Sequence, residues 1–372
     1  MTVFMDGNQA VALGALDAGC DFFAGYPITP ATEILLHLSR GLPEVGGLVI
    51  QGEDEIASLG FCIGAAMSGR RAMTATSGPG ISLYSENIGL AIMGEVPLVI
   101  VDVQRMGPAT GAATTGAQGD TQFLRWGTSG GYPVIVLAPT TVKECYQLTL
   151  KAFQLAERFR VPVFLATDKE TAQTKTSLEL KRAEDAVPDR ITAPPGEPFY
   201  PLGLEELDQI PPMSPFGGPH ILRFTTSSHD KKGYLTKDPK ALNRLNRHLW
   251  DKIERHKKEI SLVEADLEQG AEHLILSYGI SARSARAALQ KARSAGKQVS
   301  LLTVHSLWPV PETAIQKALQ GIRTVIVPEL NFGQYTREIE RLTEDAQQVI
   351  GVHRVDGGLI SPDQILEEGG LA

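Results

Sequence analysis

The first half of the chain alternates short apolar runs with longer stretches of helical period. DFFAGYP (21–27), GGLVIQG (46–52), RAMTAT (71–76), PLVIVDVQ (97–104), YPVIVLAP (132–139) and VPVFLATD (161–168) read as strands. ATEILLHLSRGL (31–42), EIASLGFCIGAAM (55–67), the stretch from the SGPG turn to Met93, and 141–158 read as helices. PLVIVDVQ is apolar except at its polar end, as expected of a strand covered on both faces. This βα alternation predicts an α/β fold with a doubly wound, mostly parallel sheet.

Residues 170–220 change character. APPGEPFYPLGLEELDQIPPMSPFGGP (193–219) is dense in proline and glycine and predicts a connection that crosses a surface. DPKALNRLNRHLWDKIERHKKEI (238–260) has helical spacing and many opposite charges four apart, which predicts a solvated helix. The last hundred residues repeat the first pattern. EHLILSYG, QVSLLTVHSL and RTVIVPEL read as strands; SARSARAALQKARSAG, the stretch after Pro309 and Pro311, and YTREIERLTED read as helices. The organisation expected is a first domain over 1–190, a linker and charged helix over 191–265, and a smaller α/β domain over 266–372.

Composition narrows the function classes. The chain has 372 residues, 42% of them hydrophobic, enough for two domains with sizeable cores. A net charge of −8 argues against an extended nucleic-acid surface. No uninterrupted apolar run approaches the roughly 20 residues of a membrane helix. The N-terminus lacks a basic start and carries Asp6 early, so it is a poor signal peptide. Cys20, Cys62 and Cys145 are isolated. Without a C-x-x-C pair, this chain alone is not expected to hold zinc or an iron–sulfur cluster. Sparse thiols fit a reducing cytoplasm, and buried small hydrophobes are their plainest role.

In a parallel sheet, ligands sit at the carboxyl ends of strands. There the sequence offers Tyr26-Pro27-Ile28-Thr29-Pro30, Gly52-Glu53-Asp54-Glu55, Ser77-Gly78-Pro79-Gly80, and Gln104-Arg105 followed by MGPATGAATTGAQGD. Each has a plainer use. Thr29-Pro30 reads as a helix cap with proline at the first helical position. The three acids complement a helix dipole. The glycine turn permits close strand–helix packing. Arg105 fits a structural ion pair. The turn lacks a Gly-Lys-Ser/Thr ending and is not G-x-G-x-x-G, so it is neither a Walker loop nor a dinucleotide fingerprint. A non-catalytic nucleotide-binding module would explain the sheet and the turn. It would not explain YPITP, a helix-start glutamate and Arg105 together.

The strings GYPITPATEI, QGEDEIASLGFCIGAA, TATSGPG, VDVQRMGPATG and QGD occur in order. They resemble the α subunit of 2-oxoacid:ferredoxin oxidoreductases, the thiamine-diphosphate enzymes that oxidise 2-oxoacids to acyl-CoA. LILSYG, LLTVHSLWPVP and VIVPELNFGQ are similar to the transketolase C-terminal-like domain of the same family. The resemblance covers nearly the whole chain and is weakest over 170–220. It implies that the first domain is pyrimidine-binding-like and that the cofactor lies between two subunits. Tyr26, Pro27, Ile28, Ser77, Gly78 and Pro79 then receive the aminopyrimidine end. The glycine turn holds no phosphate and instead brings backbone to an aromatic ring.

The resemblance also implies roles and partners. Glu55 takes the position of the family's cofactor glutamate, with Glu53 as runner-up. A carboxyl group on the pyrimidine nitrogen favours the imino tautomer that removes the thiazolium proton. Thr29 and Arg105 match positions that contact the 2-oxoacid. The diphosphate, its Mg²⁺ and the 4Fe-4S cluster are expected on a β subunit or further small subunits, with ferredoxin as electron acceptor and CoA as acyl acceptor. No metal is expected on this chain. EDEIA, ENIG and RWGTSGG look most like the 2-oxoglutarate branch, which forms succinyl-CoA; pyruvate and branched-chain 2-oxoacids are the alternatives. Ala109 stands where the family usually has Ser, and TGAATTGAQGD lacks a common proline. Arg125 is a candidate for a second substrate carboxylate.

Overall fold

The computed structural model describes residues 2–183, 187–196, 198–201 and 203–372. Its larger sheet has eight strands. Seven run in the order Ser306–Trp308, Ile135–Leu137, Pro162–Asp168, Leu98–Met106, Ala72–Thr76, Phe22–Gly25, Leu48–Gln51. The eighth, Ala112–Gly116, pairs antiparallel with Leu98–Met106. Ser306–Trp308 is also antiparallel to its neighbour, and the other pairings are parallel. Apolar residues alternate between two cores. Val99, Val101 and Val103 face helices Gly7–Asp17, Thr32–Glu44 and Val142–Phe159. Leu98 and Ile100 face helices Glu55–Met67 and Ser85–Met93. This is the doubly wound arrangement that the βα pattern predicts.

The helix starts have local causes. Asp6 and Asp54 accept a backbone N–H from their own first turns, at 2.9 and 2.8 Å, and Thr141 does so at 3.2 Å. The stretch from the glycine turn to Met93 is two helices, Pro79–Leu83 and Ser85–Met93, joined at Tyr84. The Tyr84 hydroxyl is 2.8 Å from Oγ1 of Thr74, so this corner is tied to the strand beneath it.

The second sheet runs Val263–Asp266, Val299–Val304, His273–Ser277, Thr324–Glu329, Gln348–His353, parallel except at its first pairing. Val263–Asp266 starts this sheet from within the stretch expected as linker and charged helix. Leu274, Leu276 and Leu302 share one core with Phe164, Ala166 and Val136, so the two units pack directly. Gln118 joins them: its side chain donates to the Tyr278 carbonyl at 3.2 Å and accepts from Ser281 at 2.9 Å and the Leu330 N–H at 3.1 Å.

Two expectations are corrected. The helix Pro239–Glu254 is solvated on one face only. Its Leu245, His248, Leu249, Lys252 and Ile253 are buried, and the polar ends of His248 and Lys252 find a partner in Glu95, itself buried. The proline-rich connection is pinned as well as draped. Arg190 donates to both oxygens of Glu157, each at 2.7 Å, and to the carbonyls of Ala66 and Arg70. Among the described residues no helix is long and apolar enough to cross a membrane.

Candidate active site

Four adjacent strands, Leu98–Met106, Ala72–Thr76, Phe22–Gly25 and Leu48–Gln51, deliver the four candidate loops to one edge. The three neighbouring acids take three environments. Asp54 is the helix cap. Glu53 is exposed. Glu55 is 7% exposed, and its carboxylate accepts no hydrogen bond from the described residues. The helix begins at Glu55, with Asp54 extended as its cap and Glu53 before it, so the three carboxylates leave the chain in different directions.

Glu55 lies against the glycine turn. A Cβ on Gly80 would stand 2.9 Å from Cγ and Oε1 of Glu55 and 2.0 Å from Oγ1 of Thr76. Only glycine fits there. Gly78 has φ +33°, and a Cβ on it would face the Arg105 side chain at 3.5 Å. Pro79 is the first residue of the following short helix. Ser77 is fully buried, and among the described residues its hydroxyl has no hydrogen-bond partner; nor has that of Thr76.

Arg105 and Thr29 meet, through the threonine's main chain. Arg105 is 5% exposed; Nη1 donates to the Thr29 carbonyl at 2.6 Å and Nη2 to the Thr110 carbonyl at 3.0 Å, while Nε is buried without a partner among the described residues. The structural ion pair suggested as a plain reading is therefore not what holds it. The helix cap suggested for Thr29-Pro30 is not made either. The helix starts at Thr32 with no side-chain cap, and the Thr29 side chain is left exposed. Tyr26 is 40% exposed, with Pro27 and Ile28 half-buried beside it. Arg125 points elsewhere. Its guanidinium donates to the carbonyls of Gly131 and Tyr132 and stacks 3.9 Å from the Trp126 ring centroid.

The comparisons bear on this edge. Residues 13–245 match the family described as pyruvate flavodoxin/ferredoxin oxidoreductase, thiamine diphosphate-binding. Residues 271–365 match the pyruvate:ferredoxin oxidoreductase core domain II. The chain belongs to this oxidoreductase family. It is 40% identical to the 2-oxoglutarate synthase subunit KorA of Methanothermobacter thermautotrophicus, over 98% of this chain and 96% of that one. The KorA subunit of Methanocaldococcus jannaschii is 41% identical over 97% of both chains. The ketoisovalerate oxidoreductase subunit VorB of Methanothermobacter thermautotrophicus is 37% identical over 99% of this chain and 97% of that one. The solved structure of a 2-oxoglutarate:ferredoxin oxidoreductase from Magnetococcus marinus, with 2-oxoglutarate, coenzyme A and succinyl-CoA bound, superposes with a TM-score of 0.92 at 32% identity. It covers 98% of this chain and 64% of that one. A split-gene transketolase at 12% identity and TM-score 0.54 shares the fold alone. The oxidoreductase subunit is thus of the thiamine-diphosphate-dependent 2-oxoacid:ferredoxin type, the α-type member of its assembly, as the sequence motifs implied.

Sequence reading of this oxidoreductase missed two residues of the same edge. Asp102 is fully buried in the strand Leu98–Met106, in register with Thr76 on the neighbouring strand. Asp120 follows in the QGD loop, and its backbone N–H donates to Oε1 of Gln104 at 3.1 Å. The signal for Asp102 was present: it is a lone acid inside a run of valines and isoleucines. Burial pushes the carboxyls of both Asp102 and Asp120 above the usual carboxylate range.

Proposed function

We propose that this chain supplies half of an active site that oxidises 2-oxoglutarate with CoA to succinyl-CoA, CO₂ and reduced ferredoxin. The observation that carries the reading is the pairing of a buried, unbonded Glu55 carboxylate against Gly80 with a buried Arg105 one strand beyond. Thiamine diphosphate, when bound, supplies an electron sink for the decarboxylation. The residues fit its aromatic end. Gly80 lets Glu55 and Thr76 close against the turn, the buried hydroxyls of Thr76 and Ser77 have no partner among the described residues and can meet a ring's polar edge, and Tyr26, Pro27 and Ile28 follow the adjacent strand.

Glu55 holds and returns a proton at a ring nitrogen. Its burial keeps water from competing for that proton. Arg105 binds the 2-oxoacid carboxylate. Its planar fork is already aimed by two carbonyls, so little rotational freedom is lost when the acid arrives. Thr29, exposed beside it, hydrogen-bonds the same substrate. Mg²⁺, the diphosphate and the 4Fe-4S cluster belong to partner subunits, and so does the docking of ferredoxin. All three cysteines of this chain are buried and unpaired, which suits a reducing cytoplasm.

Similarity to 2-oxoglutarate synthase subunits at 40% supports the substrate; the 37% similarity to the VorB subunit favours a branched-chain 2-oxoacid as the second reading. The test is turnover by the purified assembly with a panel of 2-oxoacids, CoA and a viologen acceptor. The highest kcat/KM falls on 2-oxoglutarate. A preference for a branched-chain acid or pyruvate overturns the substrate, and inactivity on every 2-oxoacid overturns the reaction.

A further inference from the structure

Two carboxyl groups meet beneath the glycine turn. Asp102 and Gln104 lie on the same face of their strand, and the Gln104 side chain accepts the Asp120 N–H at 3.1 Å, which brings the Asp120 carboxyl beside that of Asp102. No donor within the described residues makes a hydrogen bond of normal geometry to either oxygen of Asp102 or to Oδ2 of Asp120. The Gly78 N–H lies toward Asp102 without completing such a bond. The Arg105 charge acts on Asp120 and favours its ionised form, yet the two Nη atoms of Arg105 are held by carbonyls.

Two buried carboxylates in contact cannot both ionise without a cation between them. A proton placed between them supplies the missing donor, turning two unpaired acceptors into one hydrogen bond. We propose that Asp102 and Asp120 hold one proton between them and that this singly charged pair positions Arg105 for the 2-oxoacid carboxylate. The proposal rests on the reading of Arg105 given above.

A balance of charge sets where the guanidinium rests. A single negative charge holds the guanidinium at the edge of the sheet without capturing it. A second charge would draw the guanidinium inward, away from Thr29 and Thr110 and from the substrate. A neutral pair would leave it without counter-charge. The surrounding groups do not replace this balance. Arg105 shares the strand with Asp102. Tyr84 is bonded to Thr74, and Glu55 stands behind Gly80. On the neighbouring strand, Asp168 accepts the N–H groups of Thr171 and Ile280. Glu170 pairs with Lys169, and Tyr278 donates to Glu329. None of these is a second cation facing the pair. Asp102 and Asp120 are positioning residues, since they act on substrate through Arg105.

Two measurements on the assembled enzyme test this. The first needs no substrate: infrared difference spectra as pH is raised through the neutral range. A protonated-carboxyl C=O band is expected in the wild type and is lost in Asp102→Asn and in Asp120→Asn. The second is the pH profile of KM for the 2-oxoacid, from about pH 6 to about pH 9. In the wild type KM rises on the alkaline side as the shared proton leaves, while kcat changes less. Asp120→Ala raises KM about tenfold, on the scale of one charge-assisted hydrogen bond. Asp120→Asn restores most of that loss and flattens the alkaline limb, because its amide donates to Asp102 as the proton did and cannot ionise. Absence of the band, or an alkaline limb that persists in Asp120→Asn, overturns the proposal while leaving 2-oxoacid turnover intact. A band that behaves as expected in an enzyme inactive on all 2-oxoacids overturns the role of Arg105 together with the reaction.

Discussion

Two buried charged clusters in this chain are built on opposite principles. In the first, Glu95, Arg160, His248 and Lys252 are each at most 8% exposed. Lys252 donates to Glu95 at 2.8 Å and to the Arg160 carbonyl at 3.1 Å; His248 lies 2.7 Å from Glu95 and 2.8 Å from the Leu207 carbonyl. Arg160 donates to the carbonyls of Glu95, Pro211 and Pro212. Burial alone pushes the Glu95 carboxyl up, but Lys252, His248 and Arg160 outweigh it and hold the group well below the usual carboxylate range. In the second cluster, Thr76, Ser77, Asp102, Arg105 and Asp120 account for six of the thirteen buried side-chain nitrogens and oxygens without a partner among the described residues. The first cluster is finished by the chain and bolts the charged helix to the first unit. The second is left open at a sheet edge, where a ligand and a shared proton complete it. Unsatisfied polar groups concentrate where chemistry is done, because a folded chain otherwise removes them.

The strongest way to break this contrast is Glu55→Gln. Glutamine keeps the shape and cannot carry the proton, so turnover falls by about 10²–10⁴-fold while assembly and melting temperature stay near wild type. A comparable loss of stability would assign Glu55 to the bolting class. Lys252→Ala is the mirror experiment. It takes the buried ammonium away from the Glu95 carboxylate, leaves the Arg160 carbonyl without that donor, and lowers unfolding free energy by about 3–5 kcal/mol, read from urea melts, with the KM of the folded fraction unchanged. The pH sign follows from the lowered Glu95 carboxyl. In the wild type its contribution is present above the ordinary carboxylate range and is lost as pH falls through and below it; in Lys252→Ala that acid limb is reduced.

Arg105→Lys sharpens the contrast at smaller scale. Charge is kept, and the two-pronged geometry is lost. Catalytic efficiency drops about ten- to a hundred-fold, roughly 1.5–3 kcal/mol, without a matching fall in melting temperature. An unchanged KM for the 2-oxoacid would remove Arg105 from substrate binding. Glu53→Gln is the smallest change. The side chain is exposed, so stability moves by no more than about 0.5 kcal/mol. Kinetics matching wild type are expected; an effect as large as that of Glu55→Gln would shift the proton-handling role two residues upstream.

Much of the fold was legible along the chain. Valine- and isoleucine-rich runs spaced by helical segments announced the central strands, and the four loops that end them were correctly gathered at one edge. Short or mixed elements escaped. The strands Thr2–Met5 and Thr176–Glu179 pair only with each other, and their alternation is too brief to read without that partner. Thr29-Pro30 carried a cap signature, but the helix begins at Thr32 because the Thr29 carbonyl is turned toward Arg105. His248 and Lys252 looked like ordinary members of a solvated charge pattern, since nothing local marks which face of a charged helix will meet a buried glutamate.

By itself the sequence determined the period of each segment, the glycine turn after the third strand, and the ordered motifs of the family. These are properties of neighbouring residues, written in φ, ψ and side-chain spacing. Only the tertiary structure decided which of three adjacent acids is buried, which charges are paired, and that Asp102 and Asp120 meet. Those residues lie 18 positions apart, on a strand and on the loop that follows its hairpin. Their encounter depends on how the Ala112–Gly116 strand folds back on Leu98–Met106 and how Gln118 anchors the loop to the second unit. Burial and contact raise the cost of charge only after the chain has closed around them, so neither a carboxyl's protonation nor its partner is written in the residues beside it.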